Sequence, residues 1–280
     1  MSRSYWCCII TRDGAETLGA TIDSIMQQSV PPDFLVVVND GSTDQTPLII
    51  QEKLELYGKI HIIDTGSKTR DIRRVPALLN LGLGFSEKMP KTDYMMISGD
   101  DIELTKEYAQ SMMGHLDADR KLVVASGEWK EPGGRLEAMP TGAGRFVRTS
   151  FMVKIGNRYP VAYGWEPWIL YKAMELGYSV AAFPNERYNH LRPYRTINLF
   201  GWGRGMYSLG FSFYFVLLRF LINFIWSRHG TQSRKASVSM LVGYLSARIS
   251  PDNLRGMVIT DKGLKDFVKR YSITRISRVF

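Results

Sequence analysis

Residues 36–44 read Val36-Val37-Val38-Asn39-Asp40-Gly41-Ser42-Thr43-Asp44, an apolar run that passes directly into a polar turn. Successive β-branched residues are typical of a strand that is buried on both faces of a sheet. Asp, Gly and Ser are turn-forming residues, so the strand is predicted to end after Val38. Asp40 is then a candidate ligand-binding carboxylate at a strand end, and a purely structural role in the turn is the alternative.

The same alternation of a short apolar run and a helix-like stretch recurs along the first half of the chain. Predicted strands cover residues 5–10, 34–38, 60–63, 94–97 and 122–125, and predicted helices cover 16–28, 47–56, 77–85 and 105–116. A strand followed by a helix, repeated, is typical of parallel βαβ units. The predicted fold is therefore α/β, with a mixed, mainly parallel, Rossmann-like sheet and helices on both of its faces.

The residues that follow the first and fourth predicted strands are also polar. They read Thr11-Arg12-Asp13-Gly14 and Ser98-Gly99-Asp100-Asp101. Ligands bind at the carboxyl ends of the strands in sheets of this kind. The sequence has no glycine-rich dinucleotide motif or P-loop at these positions, which disfavours both of those classes. Carboxylates at this edge suit Mg²⁺ or Mn²⁺, and capping of the next helix is the alternative role for Asp100 and Asp101.

Together these segments resemble a known family. In chain order they are Ile9-Ile10-Thr11-Arg12, the 36–44 run and Ile97-Ser98-Gly99-Asp100-Asp101, and this order resembles the nucleotide-binding half of family 2 glycosyltransferases with the GT-A fold. The resemblance covers about residues 4–195. After the motifs above, it is carried by 147–156, by Gly164-Trp165-Glu166-Pro167-Trp168 and by Gly177-Tyr178. It implies a GT-A catalytic domain that binds a nucleotide-sugar donor, either a UDP- or a GDP-sugar.

The resemblance also implies roles for individual residues. Asp40 would bind the base and Arg74 would flank the nucleotide, while Asp100 would coordinate Mg²⁺ or Mn²⁺. The Asp-x-Asp pattern of the family reads Ser98-Gly99-Asp100 here. The full set of predicted donor-binding residues is Thr11, Arg12, Asp40, Arg74, Gly99, Asp101, Arg192 and Arg195. For Arg74, a solvent-exposed position without a ligand is the alternative.

His190 follows the apolar run at 180–183 and precedes two arginines. In the GT-A fold a His after the last core strand often completes the metal or pyrophosphate site, so the resemblance makes His190 a second predicted metal ligand. Arg192 and Arg195 would then hold the leaving diphosphate. A structural histidine is the alternative.

Glu166 is the predicted catalytic base. It is the only acid between Glu137 and Glu175, and its neighbours Trp165 and Trp168 are aromatic. Partial removal from water would raise its pKa toward the range useful for a base. The resemblance leads to the same role, because the Glu-Asp pair of the family aligns with Trp165-Glu166 and the second acid of that pair is the base. A partly exposed Glu at a helix start is the alternative.

Composition and charge bound the remaining possibilities. The chain has 280 residues, 45% of them hydrophobic, and a net charge of +9, which suits a folded globular protein and disfavours disorder. Cys7 and Cys8 are adjacent, so neither a disulfide framework nor a zinc site is expected. Residues 1–186 carry a charge of −4 and residues 187–280 carry +13. This asymmetry indicates an anionic partner for the last third of the chain, and a solvated basic face is the alternative.

The apolar stretch at 209–226 is predicted to form one amphipathic helix. Ser208, Ser212, Arg219 and Asn223 fall in one sector and leave a broad apolar face. Eighteen residues span only about 27 Å, and Arg219 at mid-span is costly in a bilayer, so a helix in the membrane interface is favoured. A helix packed on the catalytic domain and a transmembrane span are the alternatives.

The basic segment 228–280 would then face anionic headgroups. Nucleic-acid binding is disfavoured, because the aromatic residues form one apolar face and are not interleaved with the cations. The predicted domains are residues 1–198, catalytic, and 199–280, membrane-associating. The start of the chain lacks the features of a signal peptide. We therefore expect a peripheral or monotopic protein on the cytoplasmic face of a membrane.

The predicted function is an inverting, metal-dependent transfer of a sugar from a nucleotide-diphosphate donor to a hydroxyl or phosphate. The predicted acceptor is a cell-surface glycan or a lipid-linked one. Two alternatives stay open, a sugar-phosphate nucleotidyltransferase and a non-catalytic sugar- or lipid-binding module. The replaced acids at Ser98 and Trp165 keep the second of these open.

Overall fold

The structure is a computed structural model that describes residues 3–69, 74–129, 139–192, 199–226 and 233–276. Its centre is an eight-stranded, mostly parallel sheet. The strands are β1 (Tyr5–Thr11), β2 (Phe34–Asn39), β3 (Ile60–Asp64), β4 (Tyr94–Ser98), β5 (Ile102–Leu104), β6 (Leu122–Trp129), β7 (Arg145–Arg148) and β8 (Ser179–His190). Their order in the sheet is β3-β2-β1-β4-β7-β6-β8-β5. All five strands predicted from apolar runs are present.

Ten α-helices occur in the described part of the chain. They are α1 (Leu18–Met26), α2 (Thr46–Tyr57), α3 (Val75–Ser86), α4 (Tyr108–Ala118), α5 (Thr149–Lys154), α6 (Trp165–Glu175), α7 (Leu199–Leu209), α8 (Phe213–Ile225), α9 (Arg234–Ile249) and α10 (Lys262–Ile276). Of these, α1 to α4 correspond to the four helices predicted between strands. The mixed α/β class with a mainly parallel sheet is confirmed.

The central strands are buried because their side chains are apolar on both faces. Every residue of β2 is buried, and β1 is buried at all but one position. Helix α1 covers one face of this region with Leu18, Ile22 and Ile25, which recur at helical spacing. This packing fixes the carboxyl ends of β1, β2 and β4 as a rigid edge.

Two short strands were not predicted, because they lack the apolar signal of the others. Strand β7 begins and ends with arginine and runs antiparallel to both β4 and β6. Arg145 is nevertheless only 1% exposed, because its guanidinium donates to the carbonyl oxygens of Pro140 and Thr141. Strand β5 has three residues and pairs antiparallel with the end of β8.

The chain forms two compact units. The first comprises Met1–Arg158 and Gly177–Pro193, and the second comprises Tyr159–Leu176 and Tyr194–Phe280. Helix α6 therefore belongs to the same unit as the C-terminal helices, although it precedes β8 in the chain. The predicted functional division at residue 198 stays a prediction.

The helix predicted over 209–226 is present only over Phe213–Ile225, so the prediction of one continuous helix from residue 209 is wrong. Helix α7 ends at Leu209, Gly210 adopts a left-handed conformation with φ +89°, and α8 begins at Phe213. Glycine adopts this conformation without strain, so it ends a helix readily. Ser208 and Ser212 thus lie on different elements, and both are buried. No helix among the described residues is both long enough and apolar enough to span a bilayer.

Candidate active site

The ends of three parallel strands lie side by side at one edge of the sheet in the first unit. Strand β1 pairs with β2, with Thr11 opposite Asn39, and also with β4, with Ile9 opposite Ser98. The polar residues after these strands therefore meet, as the sequence predicts. They form two adjacent groups, which are linked because Arg12 belongs to one and the preceding residue Thr11 belongs to the other.

The first group surrounds the carboxylate of Asp40, which is only 4% exposed. Arg74 Nη2 lies 3.0 Å from Asp40 Oδ1, and Arg12 Nη1 lies 3.5 Å from Oδ2. The Thr65 hydroxyl donates to Oδ1 over 2.9 Å. Two guanidinium groups thus balance one buried carboxylate, which fixes the orientation of all three side chains. The predicted grouping of Arg12, Asp40 and Arg74 is present.

The loop after β3 closes one side of this group. Arg12 Nη1 donates to the carbonyl oxygen of Thr69 over 2.6 Å, and Arg74 donates to the Ser67 hydroxyl. Gly41 has φ +66°, and a Cβ atom there would lie 2.1 Å from the Ser67 carbonyl oxygen. Sequence reasoning missed this loop. The rule that ligands bind at strand ends could have found it, since Asp64-Thr65-Gly66-Ser67 follows the third predicted strand.

Other polar residues of the 36–44 run shape the turn. Asp44 accepts hydrogen bonds from the backbone N–H groups of Thr46 and Ala15 over 3.0 and 3.1 Å. Burial opposes the effect, but these hydrogen bonds and one from the Thr46 hydroxyl lower the pKa of Asp44 below its ordinary value. Asp13 Oδ1 accepts from the Thr43 backbone N–H over 2.9 Å. These acids stabilise the two loops against each other.

The second group contains Asp100 and Asp101. The Thr11 hydroxyl donates to Asp100 Oδ2 over 2.7 Å, and Arg192 Nη1 lies 3.5 Å from Asp100 Oδ1. His190 Nδ1 lies 3.8 Å from Asp101 Oδ1. The predicted residues Thr11, Asp100, Asp101, His190 and Arg192 are therefore brought together.

Strand pairing explains how residues so distant in the chain meet. Ile102 of β5 pairs with His190 of β8, and the Leu191 backbone N–H donates to the Asp101 carbonyl oxygen over 2.7 Å. The short β5 thus places the end of β8 beside Asp100 and Asp101. Gly99 lies in the same turn, where an added Cβ would be 3.0 Å from Asp101 Oδ1.

The two carboxylates differ in their electrostatic surroundings. Burial raises the pKa of Asp100 above its ordinary value, although the Thr11 hydrogen bond and Arg192 act in the opposite direction. His190 lowers the pKa of Asp101, and this outweighs the effect of burial.

A divalent cation is held either by protein side chains alone or by a few side chains together with phosphates of the substrate. Within the described ranges, no three His, Cys, Asp or Glu side chains come together as a protein-only metal site. Mg²⁺ and Mn²⁺ are commonly held by one or two carboxylates together with substrate phosphates. Adjacent carboxylates of Asp100 and Asp101, with an imidazole beside them, fit that second mode of binding.

Glu166 lies in the second unit, in the first turn of α6, and it is half-buried. Gly164 precedes the helix with φ +82°, and Trp165 and Trp168 both contact the ring of Tyr159. Trp165 and Trp168 thus pack against Tyr159, and an aromatic environment for the Glu166 carboxylate stays a prediction. Its role as a base stays a prediction, as do the binding roles of the other site residues. Arg195 lies outside the described residues.

The chain belongs to glycosyl transferase family 2, because the model of that family matches residues 6–174. No curated protein matches the chain.

Solved glycosyltransferase structures share the fold. One is mannosyltransferase PcManGT from Pyrobaculum calidifontis in complex with GDP-Man and Mn²⁺, at 15% identity and a TM-score of 0.58, with coverage of 100% of this chain and 81% of that chain. Another is S. aureus TarS 1-349 in complex with UDP-GlcNAc, at 15% identity and a TM-score of 0.56, covering 97% and 83%. At this identity the similarity shows the fold alone, and it confirms the expected GT-A-like architecture.

Proposed function

We propose that the protein transfers a sugar from a UDP- or GDP-sugar to a hydroxyl or phosphate group, with inversion at the anomeric carbon. The observation that carries the proposal is the joining of two groups at one sheet edge. Arg12 holds the buried Asp40 carboxylate, and the preceding residue Thr11 holds Asp100. A nucleotide sugar has a base at one end, and its diphosphate joins the ribose to the transferred sugar. The Asp40 group suits the base, and the Asp100 group suits the diphosphate.

The charges of the site residues indicate the role of each. Asp40, flanked by Arg12 and Arg74, accepts hydrogen bonds from the base, and the guanidinium groups stay near the nucleotide. Arg192 provides positive charge where the leaving diphosphate develops negative charge. Glu166 takes the proton of the acceptor hydroxyl as it attacks. A single displacement of this kind inverts the anomeric centre.

Asp100, Asp101 and His190 would hold Mg²⁺ or Mn²⁺. A divalent ion there supplies charge stabilisation to the diphosphate. The Mn²⁺ in the PcManGT complex supports a divalent ion for this fold. The nucleotide sugars in that complex and in the TarS complex support a nucleotide-sugar donor. The acceptor is proposed to be a glycan or a lipid-linked saccharide.

Calorimetric titration with UDP-GlcNAc and with GDP-Man, with and without MnCl₂, tests the donor site. We expect one donor to bind, with higher affinity when Mn²⁺ is present, and Asp100→Asn to remove the dependence on Mn²⁺. Asp117→Asn is the matched control, because Asp117 contacts Arg3 and Tyr94, where β4 begins.

Transfer is then assayed with octyl glycosides and a short prenyl phosphate as acceptors. Release of a nucleoside diphosphate together with a glycosylated acceptor supports the proposal. Release of pyrophosphate from a nucleoside triphosphate and a sugar phosphate would instead make the protein a nucleotidyltransferase. Donor binding without any turnover would favour a binding module.

A further inference from the structure

Two neighbouring helices of the second unit have apolar side chains on their outward faces. On α8, Tyr214 is 74% exposed and Ile225 is 61% exposed. On α9, Ile249 is 77% exposed, and Val238 and Val242 are also exposed. Solvent exposure of large apolar side chains on two adjacent elements is unusual for a protein surface.

The spacing shows that each set forms one stripe. The exposed residues of these stripes are Tyr214, Leu221 and Ile225 on α8 and Val238, Val242 and Ile249 on α9, and the half-buried Leu218 and Leu245 complete the spacing. Both sets follow the same helical spacing, which keeps four residues on one side of a helix. The opposite side of α8 carries Val216, which is fully buried, and that of α9 carries Met240 and Ala247.

The two stripes adjoin each other. The guanidinium of Arg234, near the start of α9, lies 5.6 Å from the ring centre of Phe224, near the end of α8. The guanidinium of Arg248, near the end of α9, lies 5.0 Å from the ring centre of Phe213, at the start of α8. The helices are therefore antiparallel neighbours. Because Arg234, Arg248 and Phe224 are exposed, the outward sides of the helices meet at these contacts. We call the outward side chains of α8 and α9 the docking face.

The segment that contains α8 and α9 carries charge of one sign. Residues 199–251 contain no Asp or Glu. Arg219 of α8 and Arg234, Lys235 and Arg248 of α9 are exposed. In a symmetric dimer formed through this face, the cations of one copy would meet those of the other with no acid between them. A surface that combines apolar and anionic character complements the docking face better than a second copy does.

We propose that the docking face binds the surface of an anionic phospholipid bilayer. The stripes of α8 and α9 enter the interface between headgroups and acyl chains, and the flanking arginines and lysine contact lipid phosphates. Each cation near such a surface strengthens binding by about fivefold at low salt. Binding of this kind needs neither donor nor turnover, so it does not depend on sugar transfer.

Vesicle sedimentation of the full chain tests the proposal. Vesicles of phosphatidylcholine with 30% phosphatidylglycerol should bind the protein. Vesicles of pure phosphatidylcholine should bind it with an affinity that is lower by about tenfold or more. The double variant Ile225→Glu, Ile249→Glu should lose at least tenfold in affinity for the anionic vesicles. Both side chains are exposed, so the substitutions leave the packing of the helices intact.

The matched control is Leu48→Glu, Val153→Glu, which changes two equally exposed apolar residues in the first unit and adds the same charge. This control should bind the anionic vesicles like the unaltered protein. Equal loss in both variants, or no vesicle binding by the unaltered protein, would overturn the proposal. A dimer in sedimentation equilibrium that Ile225→Glu, Ile249→Glu converts to a monomer would also overturn it, because the docking face would then be a self-association surface.

Discussion

The guanidinium of Arg192 lies 3.5 Å from the carboxylate of Asp100, although the two residues come from distant parts of the chain. The pairing of β5 with β8 brings them together. An arginine held beside the carboxylate at the end of β4 provides positive charge at the position where we propose that the diphosphate binds. The pair thus places Arg192, which follows β8, at the proposed diphosphate site.

Arg192→Gln is expected to slow sugar transfer by about a hundredfold or more, because it removes positive charge from the leaving diphosphate. Binding of a nucleoside monophosphate, which lacks the second phosphate, should change little. Steady-state kinetics and calorimetry measure the two quantities. Arg187→Gln is the control, since Arg187 is an exposed residue of the same strand. Equal rates for the two variants would remove Arg192 from the diphosphate site.

Asp40→Asn is expected to weaken binding of the donor nucleotide by about tenfold to a hundredfold. The amide cannot balance Arg12 and Arg74, and charged hydrogen bonds of this kind contribute about 1.5–3 kcal/mol. Calorimetric titration with UDP and GDP measures the loss. Asp117→Asn, which also removes a carboxylate paired with an arginine, should leave nucleotide affinity unchanged. An unaltered affinity in Asp40→Asn would contradict the proposed base contact.

Gly41→Ala is expected to weaken nucleotide binding and to lower stability. Alanine is strained at φ +66°, and its Cβ would lie 2.1 Å from the Ser67 carbonyl oxygen, so the loop after β3 must move. Gly58→Ala is a matched control, because Gly58 has φ +63° and open space around it. The control should lose about 1–2 kcal/mol of stability, the cost of a left-handed conformation for alanine, and keep its nucleotide affinity. If both variants bind nucleotide normally, the 65–69 loop is not part of the site.

Glu166→Gln is expected to reduce transfer by about a hundredfold to ten-thousandfold, the usual range for loss of a general base. Donor affinity should be preserved, because no donor contact is assigned to this residue. Glu175→Gln lies on the same helix and removes a carboxylate that pairs with Lys172 over 2.8 Å. It should keep nearly full activity. Retained turnover in Glu166→Gln would exclude it as the base.

Asp261 should contribute to the loss of stability of the protein as the pH falls. This residue precedes α10, and its carboxylate accepts from the Leu264 backbone N–H over 3.0 Å and contacts Lys172. Burial opposes the effect, but these contacts lower the pKa of Asp261 below its ordinary value. A lowered pKa in the folded state adds stability above the ordinary pKa of Asp, near 3.9, and this stability is lost as the pH falls further.

Asp261→Asn keeps a capping side chain but loses the charge that pairs with Lys172, so it should lower the free energy of unfolding by about 0.5–1 kcal/mol at pH 7. Below about pH 4 the difference from the unaltered protein should shrink. Urea unfolding followed by circular dichroism at several pH values measures this difference in the free energy of unfolding. A difference that stays constant down to pH 3 would show that the charge of Asp261 does not matter.

The sequence predicts the first unit well, because hydrophobic runs and turn residues are local signals. Strands β1 to β4 and the polar residues that follow β1, β2 and β4 are identified in this way. The resemblance to family 2 glycosyltransferases adds Arg74, His190 and Arg192, which no local pattern singles out. Strands β5 and β7 are not predicted, since β5 has three residues and β7 carries arginine at both ends.

The C-terminal region is predicted less well. A window of apolar residues does not reveal that Gly210 interrupts it, because the break depends on backbone conformation and not on hydropathy. The apolar stripe of α9 is also missed. Its serines and glycine lower the average apolar character of the helix, and only the structure shows that they face inward or sideways while the aliphatic residues face out.

Helix α6 interrupts the chain between β7 and β8 and joins the C-terminal helices, where Lys172 pairs with Asp261 over 2.7 Å and Tyr171 contacts the rings of Phe211 and Tyr271. Truncation after residue 198 would leave α6 without these partners. The C-terminal helices therefore cannot be exchanged between relatives without α6. Loss of activity after such a truncation would not distinguish a membrane-binding defect from a catalytic one. A chimera that keeps the second unit intact would have to carry 159–176 together with the C-terminal helices.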